Sequence, residues 1–303
     1  MTFRLGMVGA GRMGLTHLSA LADSPSVCAV AVADPSPPAR EAAAAPGRVL
    51  YASTEAMLEA GGLDGVLIAT PTGLHLPTIR LVAASGLPIL CEKPCGLTVA
   101  EARAAAAVGV RLQVAYWRRF VPELERLRAR IASGDMGGIY FVVSTQWDGA
   151  PPSVAFRSGS GGIFIDMGVH EFDQIRWLTG QQITALRVAV PATTADPPVA
   201  GDAESAQVLC DLSGGSTAMV SLGRRFPLGD VCRVEVYGTR DYADCRFLWP
   251  PDGDAVFHAA LRRQAEAFAS AAEGGATAAD AIAALEAATE ASRALQRSPD
   301  TEP

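Results

Sequence analysis

A glycine-rich turn near the N-terminus constrains the fold of this chain more than any other feature. The segment FRLGMVGAGRMGLTHLSALA runs from a short apolar strand into the turn Gly9-Ala10-Gly11-Arg12-Met13-Gly14, and then into a helical pattern of leucines. Gly9 permits the sharp turn, Gly11 lets a ligand approach the backbone closely, and Gly14 allows the helix to pack against the strand. A strand, a tight turn and a helix in this order predict the first unit of a doubly wound α/β domain.

A second strand, VCAVAVAD, ends in Asp34, 20 residues after Gly14. An acid at this distance binds the adenosine ribose hydroxyls of a dinucleotide whose pyrophosphate rests on the N-terminus of the first helix. The same carboxylate repels a 2′-phosphate, which favours NAD over NADP. Asp34 could instead start a turn before Pro35, but the glycines favour the cofactor role. The predicted cofactor contacts in this part of the chain are Gly9, Gly11, Arg12, Met13, Gly14 and Asp34.

The alternation of strands and helices continues to about residue 116. Runs such as DGVLIATP and RLQVAY have the continuous hydrophobicity of parallel strands that are covered on both faces, and helical patterns separate them. These elements predict an NAD-binding Rossmann domain with a doubly wound parallel sheet over residues 1–117. Ligands bind at the carboxyl ends of such strands, where the sequence places Thr70, Pro71, Thr72, His75, Glu92 and Lys93 as further cofactor contacts.

Two of these strand-end residues have structural alternatives. His75 could equally cap or pack at the start of a helix. Lys93 could be a solvated loop lysine, but Pro94 holds it at a strand end, which favours a role in ligand binding.

The segment GGIFIDMGVHEFDQIRWLTG, from Gly161 to Gly180, joins apolar and ionisable residues unusually closely. A purely structural interpretation takes residues 163–165 as the end of a buried strand, Asp166 as a helix N-cap, and Gly180 as the helix stop. The apolar helix face would carry Val169, Phe172, Ile175 and Leu178, and a solvated face would carry His170, Asp173, Gln174 and Trp177.

The remainder predicts a second, α+β domain over residues 118–303. Segments near 184–190, 205–211, 216–223 and 231–237 alternate like antiparallel strands. Residues 191–202 form a Pro-rich loop, and a helix over 257–272 precedes a capping-box-like start at Thr277 to Asp280. We expect the C-terminal helices to pack back on the sheets, and the residues after Arg297 to be disordered.

Composition excludes several classes of function. The net charge is 25 minus 32, or −7, which argues against nucleic acid as a partner. No apolar run approaches the roughly 18 residues of a membrane span, and the N-terminal motif leaves no room for a signal peptide. The six cysteines are scattered, which predicts reduced thiols in a cytoplasmic protein and no metal site.

Several motifs together resemble one known family. VGAGRMGLTH, ATPTGLH, CEKP, YWRRF, GGIFIDMGVHEFDQIRWLTG and CRVEVYG follow the order of the glucose–fructose oxidoreductase, inositol dehydrogenase and rhizopine-catabolism (Gfo/Idh/MocA) family. The RRF and GGIFIDMGVHEFD segments are most similar to myo-inositol 2-dehydrogenases. The resemblance implies an NAD(P)-dependent oxidoreductase in which a Rossmann domain precedes a domain with an open, mostly antiparallel sheet. It also implies a homodimer or homotetramer assembled through those sheets.

The resemblance further implies roles for individual residues. The lysine of the family's EKP motif matches Lys93, and the aspartate and histidine of its DxxxH motif match Asp166 and His170. Oxidation of a secondary alcohol by NAD requires a base for the hydroxyl proton, and both Lys93 and His170 are candidates. Asp166 would orient and stabilise either cation. The alternative function is an NAD-binding regulator of the same fold that catalyses nothing.

Four residues are candidates for contacts with a cyclic polyol or sugar. Arg118 and Asp148 are plausible hydroxyl contacts, although a surface role is about equally expected for each. Trp117 and Asp230 stand where inositol dehydrogenases commonly have other residues, a polar residue or methionine and a tyrosine respectively. Both would line the substrate pocket, so the substrate could differ from myo-inositol.

Overall fold

The computed structural model describes residues 2–191 and 199–296, which divide into two compact units. Unit 1 consists of the described residues up to Phe120 together with His258–Ile282, and unit 2 of Val121–Phe257 together with the described residues from Ala283 onward. The predicted boundary, between residues 117 and 118, stays a prediction. The tail after Arg297 and most of the Pro-rich loop, residues 192–198, lie outside the described residues.

The strands alternate with helices in the first part of the chain and follow one another in the second. The strands are β1 (Phe3–Val8), β2 (Val27–Ala33), β3 (Val49–Tyr51), β4 (Gly65–Ile68), β5 (Ile89–Cys91), β6 (Leu112–Val114), β7 (Ile139–Trp147), β8 (Ile183–Ala189), β9 (Ser205–Leu212), β10 (Thr217–Gly223), β11 (Val231–Gly238), β12 (Tyr242–Leu248) and β13 (Ala276–Thr277).

The helices of the described residues are α1 (Arg12–Ala20), α2 (Pro37–Ala42), α3 (Thr54–Ala60), α4 (His75–Ala84), α5 (Val99–Ala106), α6 (Pro122–Ala132), α7 (Val154–Gly159), α8 (Val169–Thr179), α9 (Gly253–Ala269) and α10 (Ala278–Gln296). Short 3₁₀ turns occupy Thr72–Leu74 and Trp117–Phe120, and a π-helical turn occupies Phe164–Gly168.

Unit 1 is a doubly wound sheet with the strand order β13-β6-β5-β4-β1-β2-β3. All pairs are parallel except β13 with β6. The order reverses at β1, which pairs with both β2 and β4, so a ligand crevice is expected outside the carboxyl ends of these strands. Leu5, Met7 and Leu67 are fully buried in a core that Leu18 of α1 and Phe268 of α9 complete. The predicted Rossmann fold is confirmed.

Unit 2 contains a sheet with the strand order β12-β11-β7-β10-β9-β8. Only the β7–β10 pair is parallel among the described pairs, so the sheet is mostly antiparallel, as predicted. Burial alternates along β9, where Val208 and Cys210 are buried while Leu209 between them is exposed. One face therefore packs into a core and the other stays open.

The segment around Asp166 differs from the structural interpretation of its sequence. Gly162 and Ile163 are already helical, so the predicted strand end is wrong, and Asp166 lies inside the π-helical turn rather than at an N-cap. The N-cap of α8 is Gly168. Gly180 has the left-handed conformation (φ 69°, ψ 8°), which confirms the predicted stop of the helix.

The predicted solvated face of α8 is also wrong. His170, Asp173 and Gln174 are all buried, as is Trp177. The reason is that α8 packs on β7 and β10 and also on α6, so that several of its sides are covered. Buried polar groups then need internal partners, and Gln174 Nε2 donates a hydrogen bond of 2.8 Å to Ser144 Oγ.

The start of α10 follows its sequence signal. The Asp280 N–H donates to Thr277 Oγ1 at 3.2 Å, and the Thr277 N–H donates to Asp280 Oδ2 at 2.9 Å, which confirms the predicted capping box. No helix in residues 2–191 and 199–296 is long and apolar enough to cross a membrane. Within the same described ranges, no His, Cys, Asp and Glu side chains group as metal ligands.

Candidate active site

The glycine-rich turn has the geometry that a dinucleotide requires. Gly9 has φ 95°, and a Cβ there would lie 2.7 Å from the carbonyl carbon of Ala69. A Cβ on Gly14 would collide with the carbonyl oxygen of Gly9, whereas one on Gly11 would meet nothing within 4 Å. Protein packing thus requires the first and last glycines, and the space at Gly11 fits the approach of a pyrophosphate.

The N-terminus of α1 complements this space. Gly11 is its N-cap and supplies no side-chain hydrogen bond, and the first turn holds no acidic residue. The first backbone N–H groups of the helix are therefore not capped by a side chain, and the helix dipole favours an anion at this end. The residues present fit the pyrophosphate of NAD.

Asp34 is fixed at the rim of the turn by hydrogen bonds from the backbone. Its Oδ2 accepts the N–H of Ala10 at 2.8 Å, and its Oδ1 accepts the N–H of Ser36 at 2.8 Å. Arg40 Nη1 donates to the carbonyl oxygen of Asp34 at 2.7 Å. The carboxylate keeps further lone pairs for ribose hydroxyls, and it also stabilises the glycine-rich turn, a role that the sequence did not indicate.

His75 is buried and links two strand ends. Its Nε2 lies 2.8 Å from the carbonyl oxygen of Thr70, and its Nδ1 lies 2.7 Å from the carbonyl oxygen of Pro94. Burial lowers the pKa of His75, although the two carbonyls and the charge of Glu92 act in the opposite direction. The ring is therefore neutral near pH 7 and donates to one carbonyl at a time.

Glu92 is buried and paired with a residue that the sequence analysis missed. His17 Nε2 lies 2.6 Å from Glu92 Oε1, and the backbone N–H of Lys93 donates to Glu92 Oε2 at 3.1 Å. Burial alone would raise the pKa of Glu92, but the hydrogen bond from His17 and the charges of His17 and Lys93 outweigh it, so the pKa is lowered. His17 follows the glycine-rich turn on α1, and its type and position alone did not reveal a buried pair.

Lys93 differs from its neighbours in both exposure and chemistry. It is half-buried, whereas Glu92, Pro94 and Cys95 on either side are buried. The 25 basic residues of the chain are 24 arginines and this one lysine. Arginine does not release its proton in proteins, whereas lysine can. The position at the end of β5 is therefore the one place in the sequence with an amine side chain.

Asp166 is held by a chain of buried charges in unit 2. Arg224 is fully buried, and its Nη1 donates to Asp166 Oδ2 at 3.2 Å while its Nη2 donates to Asp202 Oδ1 at 3.1 Å. Arg157 Nε donates to the other oxygen of Asp202 at 2.7 Å. The sequence analysis identified none of these three partners. His170 lies four residues after Asp166, in the first turn of α8, and is buried.

Two predicted substrate contacts lie near this group. Burial and the charges of Asp230 and Asp166 raise the pKa of Asp148 to about 6, with Arg224 acting in the opposite direction. Asp230 Oδ1 accepts the N–H of Gly149 at 2.7 Å, and so fixes the residue that follows Asp148. The structure thus brings Asp148 within electrostatic range of Asp166, Asp230 and Arg224.

The other two predicted substrate contacts belong to unit 1. Trp117 and Arg118 lie in the 3₁₀ turn after β6 and are both buried. The guanidinium of Arg118 lies 5.9 Å from the centroid of the Trp117 ring. Their contact with a substrate stays a prediction.

Two family models match the chain. The model of the oxidoreductase family with an NAD-binding Rossmann fold matches residues 3–120. The model of the GFO/IDH/MocA C-terminal domain matches residues 124–244. Together they cover both parts of the predicted organisation.

Known proteins resemble the chain over most of its length. The rhizopine catabolism protein MocA of Rhizobium meliloti is 55% identical, over 97% of this chain and 96% of that protein. The inositol 2-dehydrogenase of Rhizobium meliloti strain 1021 is 36% identical, over 79% and 74% respectively. A crystal structure of a myo-inositol dehydrogenase from Corynebacterium glutamicum has a TM-score of 0.88 and 25% identity, over 98% of this chain and 97% of that one.

Proposed function

This chain belongs to the Gfo/Idh/MocA family of oxidoreductases, and we propose that it oxidises a secondary alcohol of a cyclic polyol or sugar with NAD. The observation that carries the proposal is Lys93. It is the one lysine of the sequence, it lies at the carboxyl end of a central parallel strand, and it is the half-buried member of an otherwise buried segment. A chain whose other basic residues are all arginines has an amine where a proton must be transferred.

Bound NAD supplies the hydride acceptor. Lys93 and His170 are the two groups proposed to take the proton of the substrate hydroxyl, because an amine and an imidazole can both act as general bases. Asp166, which Arg224 holds in place, orients the protonated partner and stabilises its charge. This division of roles follows the family's EKP and DxxxH motifs.

We propose an inositol-like substrate because relatives named for inositol oxidation and rhizopine catabolism match the chain. The carboxylates of Asp148 and Asp230 are suitable acceptors for several hydroxyl groups, and Arg118 is a suitable donor. Trp117 would offer its ring to an apolar face of the substrate. Because Trp117 and Asp230 depart from the usual inositol dehydrogenase pattern, a substituted inositol is a better candidate than myo-inositol itself.

We also propose that the protein assembles as a homodimer or homotetramer through the open face of the unit 2 sheet. The strand register places Leu209, Met219, Tyr237 and Tyr242 on that face. Leu209 and Tyr242 are 40% and 46% exposed. Light scattering of the protein and of a Leu209→Glu variant tests the assembly, and a monomeric parent protein would contradict it.

A substrate screen tests the proposed activity. The purified protein is incubated with NAD or NADP and with inositols, pyranoses, aminosugars and rhizopine, while the absorbance of the reduced cofactor is followed. Lys93→Arg is the matched control, because it keeps the charge and excludes activity from a contaminating dehydrogenase. Turnover of at least one polyol or sugar by the native protein alone is expected. Tight NAD binding without turnover of any compound would instead favour a non-catalytic NAD-binding regulator.

A further inference from the structure

We propose that His17 and His75 are positioning residues for Lys93, each holding one of its two neighbours in the chain. The proposal deepens the proposed function and rests on the role given to Lys93 there. His17 acts through the side chain of Glu92, and His75 acts through the backbone carbonyl of Pro94. Lys93 itself reaches solvent between these two fixed points.

The first set of hydrogen bonds connects the backbone of Lys93 to α1, the helix expected to bind the cofactor. His17 is fully buried on α1, the helix that begins at the glycine-rich turn. Its ring nitrogen and the Lys93 N–H both meet the carboxylate of Glu92, one at each oxygen. The Glu92 N–H donates in turn to the carbonyl oxygen of Ile68 at 2.8 Å, which continues the β4–β5 ladder. The side chain and backbone of Glu92 are thus fixed from opposite directions.

The chemistry of the His17–Glu92 pair identifies the donor. His17 Nδ1 is buried and has no hydrogen-bond partner within the described residues. A proton on Nδ1 would therefore be an unsatisfied buried donor, which is unfavourable. The geometry therefore favours Nε2 as the nitrogen whose N–H donates to the carboxylate of Glu92. Removal of His17 leaves this buried carboxylate with one protein donor fewer.

The second set of contacts, made by His75, connects the two strand ends that flank the expected ligand crevice. His75 lies at the start of α4, and its ring bridges the carbonyl oxygens of Thr70, after β4, and Pro94, after β5. Both carbonyls are acceptors within hydrogen-bond distance of a ring nitrogen, and the neutral ring, which has one N–H, donates to one of them at a time. The two histidines come from different helices and fix the chain on opposite sides of Lys93.

Positioning of this kind matters because a lysine side chain has four rotatable bonds and cannot correct a displaced backbone without losing its alignment. A misplacement of about 1 Å at a reacting group can cost about 100-fold in rate. We therefore expect His17 and His75 to act on kcat through Lys93, and to act little on the binding of NADH.

A double-mutant cycle separates positioning from general damage to the fold. His17→Leu is expected to lower kcat by about 10- to 100-fold, with less than about 3-fold change in KM and in the Kd of NADH. In a Lys93→Ala background, the same substitution should lower the residual kcat by no more than about 2-fold. His17→Gln keeps a donor near the position of Nε2 and should restore most of the lost kcat. Equal losses in the two backgrounds would overturn the proposal.

Gln264→Leu is the matched control. Gln264 is fully buried in the same unit, and neither of its amide atoms has a hydrogen-bond partner among the described side chains and backbone. The substitution replaces a buried polar side chain by leucine, as His17→Leu does, without touching the segment around Lys93. Near-native kcat is expected. If Gln264→Leu lowered kcat as much as His17→Leu does, the effect of His17→Leu would reflect general damage to unit 1. It would then no longer support a specific positioning role for His17.

A readout that does not need activity distinguishes this proposal from the proposed function. Because the chain has one lysine, protein grown with ε-¹³C-lysine gives one NMR signal, from Lys93. His17→Leu and His75→Gln should shift or broaden this signal, whereas Gln264→Leu should not. If the native protein is inactive but shows these NMR changes, the proposed function is wrong and the positioning of Lys93 by His17 and His75 still holds. If the native protein is active but its lysine signal is unchanged in both histidine variants, the proposed function holds and the positioning role of the two histidines is wrong.

Discussion

Lys93 in unit 1 and Asp166 in unit 2 are held in opposite ways. Lys93 is held through its neighbours, by two buried imidazole rings and one carboxylate. Asp166 is held directly, at the end of a buried sequence of alternating charges that runs through Arg224 and Asp202 to Arg157. In the first arrangement the hydrogen bonds named here reach Lys93 through its chain neighbours, and in the second the carboxylate of Asp166 itself takes part in the ion pairs.

This difference determines how much stability each unit loses when one of these residues is substituted. Loss of the His17 hydrogen bond to the buried carboxylate of Glu92, which keeps the bond from the Lys93 N–H, costs roughly 1–3 kcal/mol of stability. Removal of one partner from a buried ion pair costs roughly 3–5 kcal/mol, because the other charge stays buried and uncompensated. Function and stability should therefore be separable around Lys93 and coupled around Asp166.

The largest expected effect is on catalysis, and it tests whether the two differently held segments serve one reaction. Lys93→Ala and His170→Ala should each lower kcat by roughly 10²- to 10⁴-fold, the usual range for a positioned proton-transfer group. Lys93→Arg should lose nearly as much, because arginine keeps the charge but does not give up its proton. The Kd of NAD should change little, since its predicted contacts lie at the glycine-rich turn and Asp34.

The double variant decides between shared and separate roles. If Lys93 and His170 form one proton-transfer unit, the double variant should lose much less than the product of the two single losses. Fully multiplicative losses would give them independent roles. Near-native kcat in His170→Ala would remove the histidine from the mechanism.

The second prediction tests the coupling of stability and function in unit 2. Arg224→Met should lower the free energy of unfolding by roughly 3–5 kcal/mol, because Asp166 and Asp202 would both lose their shared cation. His17→Leu in unit 1 should cost less, roughly 1–3 kcal/mol. Urea unfolding of both variants, followed by circular dichroism, measures the difference. A larger loss for His17→Leu would reverse the comparison.

The two units also differ in how much of their structure could be predicted from the sequence. In unit 1 the glycine-rich turn and the strand–helix alternation fix the fold, and a parallel sheet brings its strand ends to one edge, so position alone predicted that Lys93 and Asp34 lie at strand ends. His17 could not be identified in this way, because a histidine on a helix carries no pattern that shows a partner 75 residues away. In unit 2 the apolar spacing predicted α8 and Gly180 ended it, as expected.

The wrongly predicted solvated face of α8 has one physical cause. Periodicity reports which side chains are apolar, and it assumes that the polar ones face water. In α8 they face protein instead, because the helix packs against both the sheet and α6. The partners that make this burial possible lie in distant segments: Ser144 serves Gln174, and Arg224 serves Asp166. Arg224 and Asp166 are 58 positions apart, so no local sequence pattern predicts that they pair.

The third prediction concerns Asp34, where unit 1 combines structure and recognition in one side chain. NAD should be preferred over NADP, and Asp34→Ser should narrow the gap because the repulsion of a 2′-phosphate is lost. The structure adds a second effect. The Ala10 and Ser36 N–H groups would lose their acceptors, so the Kd of NAD should rise by about 10-fold or more, at roughly 1.4 kcal/mol per tenfold.

Fluorescence titration with NADH and NADPH separates these two effects of Asp34→Ser. Asp34→Asn is the control, because it removes the charge but keeps one carbonyl oxygen for one of the two N–H groups. It should narrow the selectivity with a smaller loss of NAD affinity. A higher kcat/KM with NADP than with NAD in the native enzyme would contradict the role of Asp34.

The smallest effect concerns Asp148, which is near the buried charges of unit 2 but is opposed by two other carboxylates. Its pKa is raised from the ordinary 3.8 to about 6 in the folded protein, by burial and by Asp230 and Asp166. The folded state therefore holds this proton more tightly than the unfolded chain, and the resulting stability is fully present below about pH 4 and is lost as the pH rises through about 6.

Asp148→Asn keeps the shape of the side chain and removes its charge, so the variant should gain stability relative to the native protein as the pH rises from 4 to 7. A shift of about two pKa units corresponds to at most about 3 kcal/mol, and partial exposure reduces the expected gain to roughly 1–2 kcal/mol. Urea unfolding at pH 4, 5, 6 and 7 measures it. A stability difference that stays constant across this range would mean that Asp148 carries no charge conflict with Asp166 and Asp230. The strain of like charges would then be absent from unit 2, and Arg224 alone would set the electrostatics around Asp166.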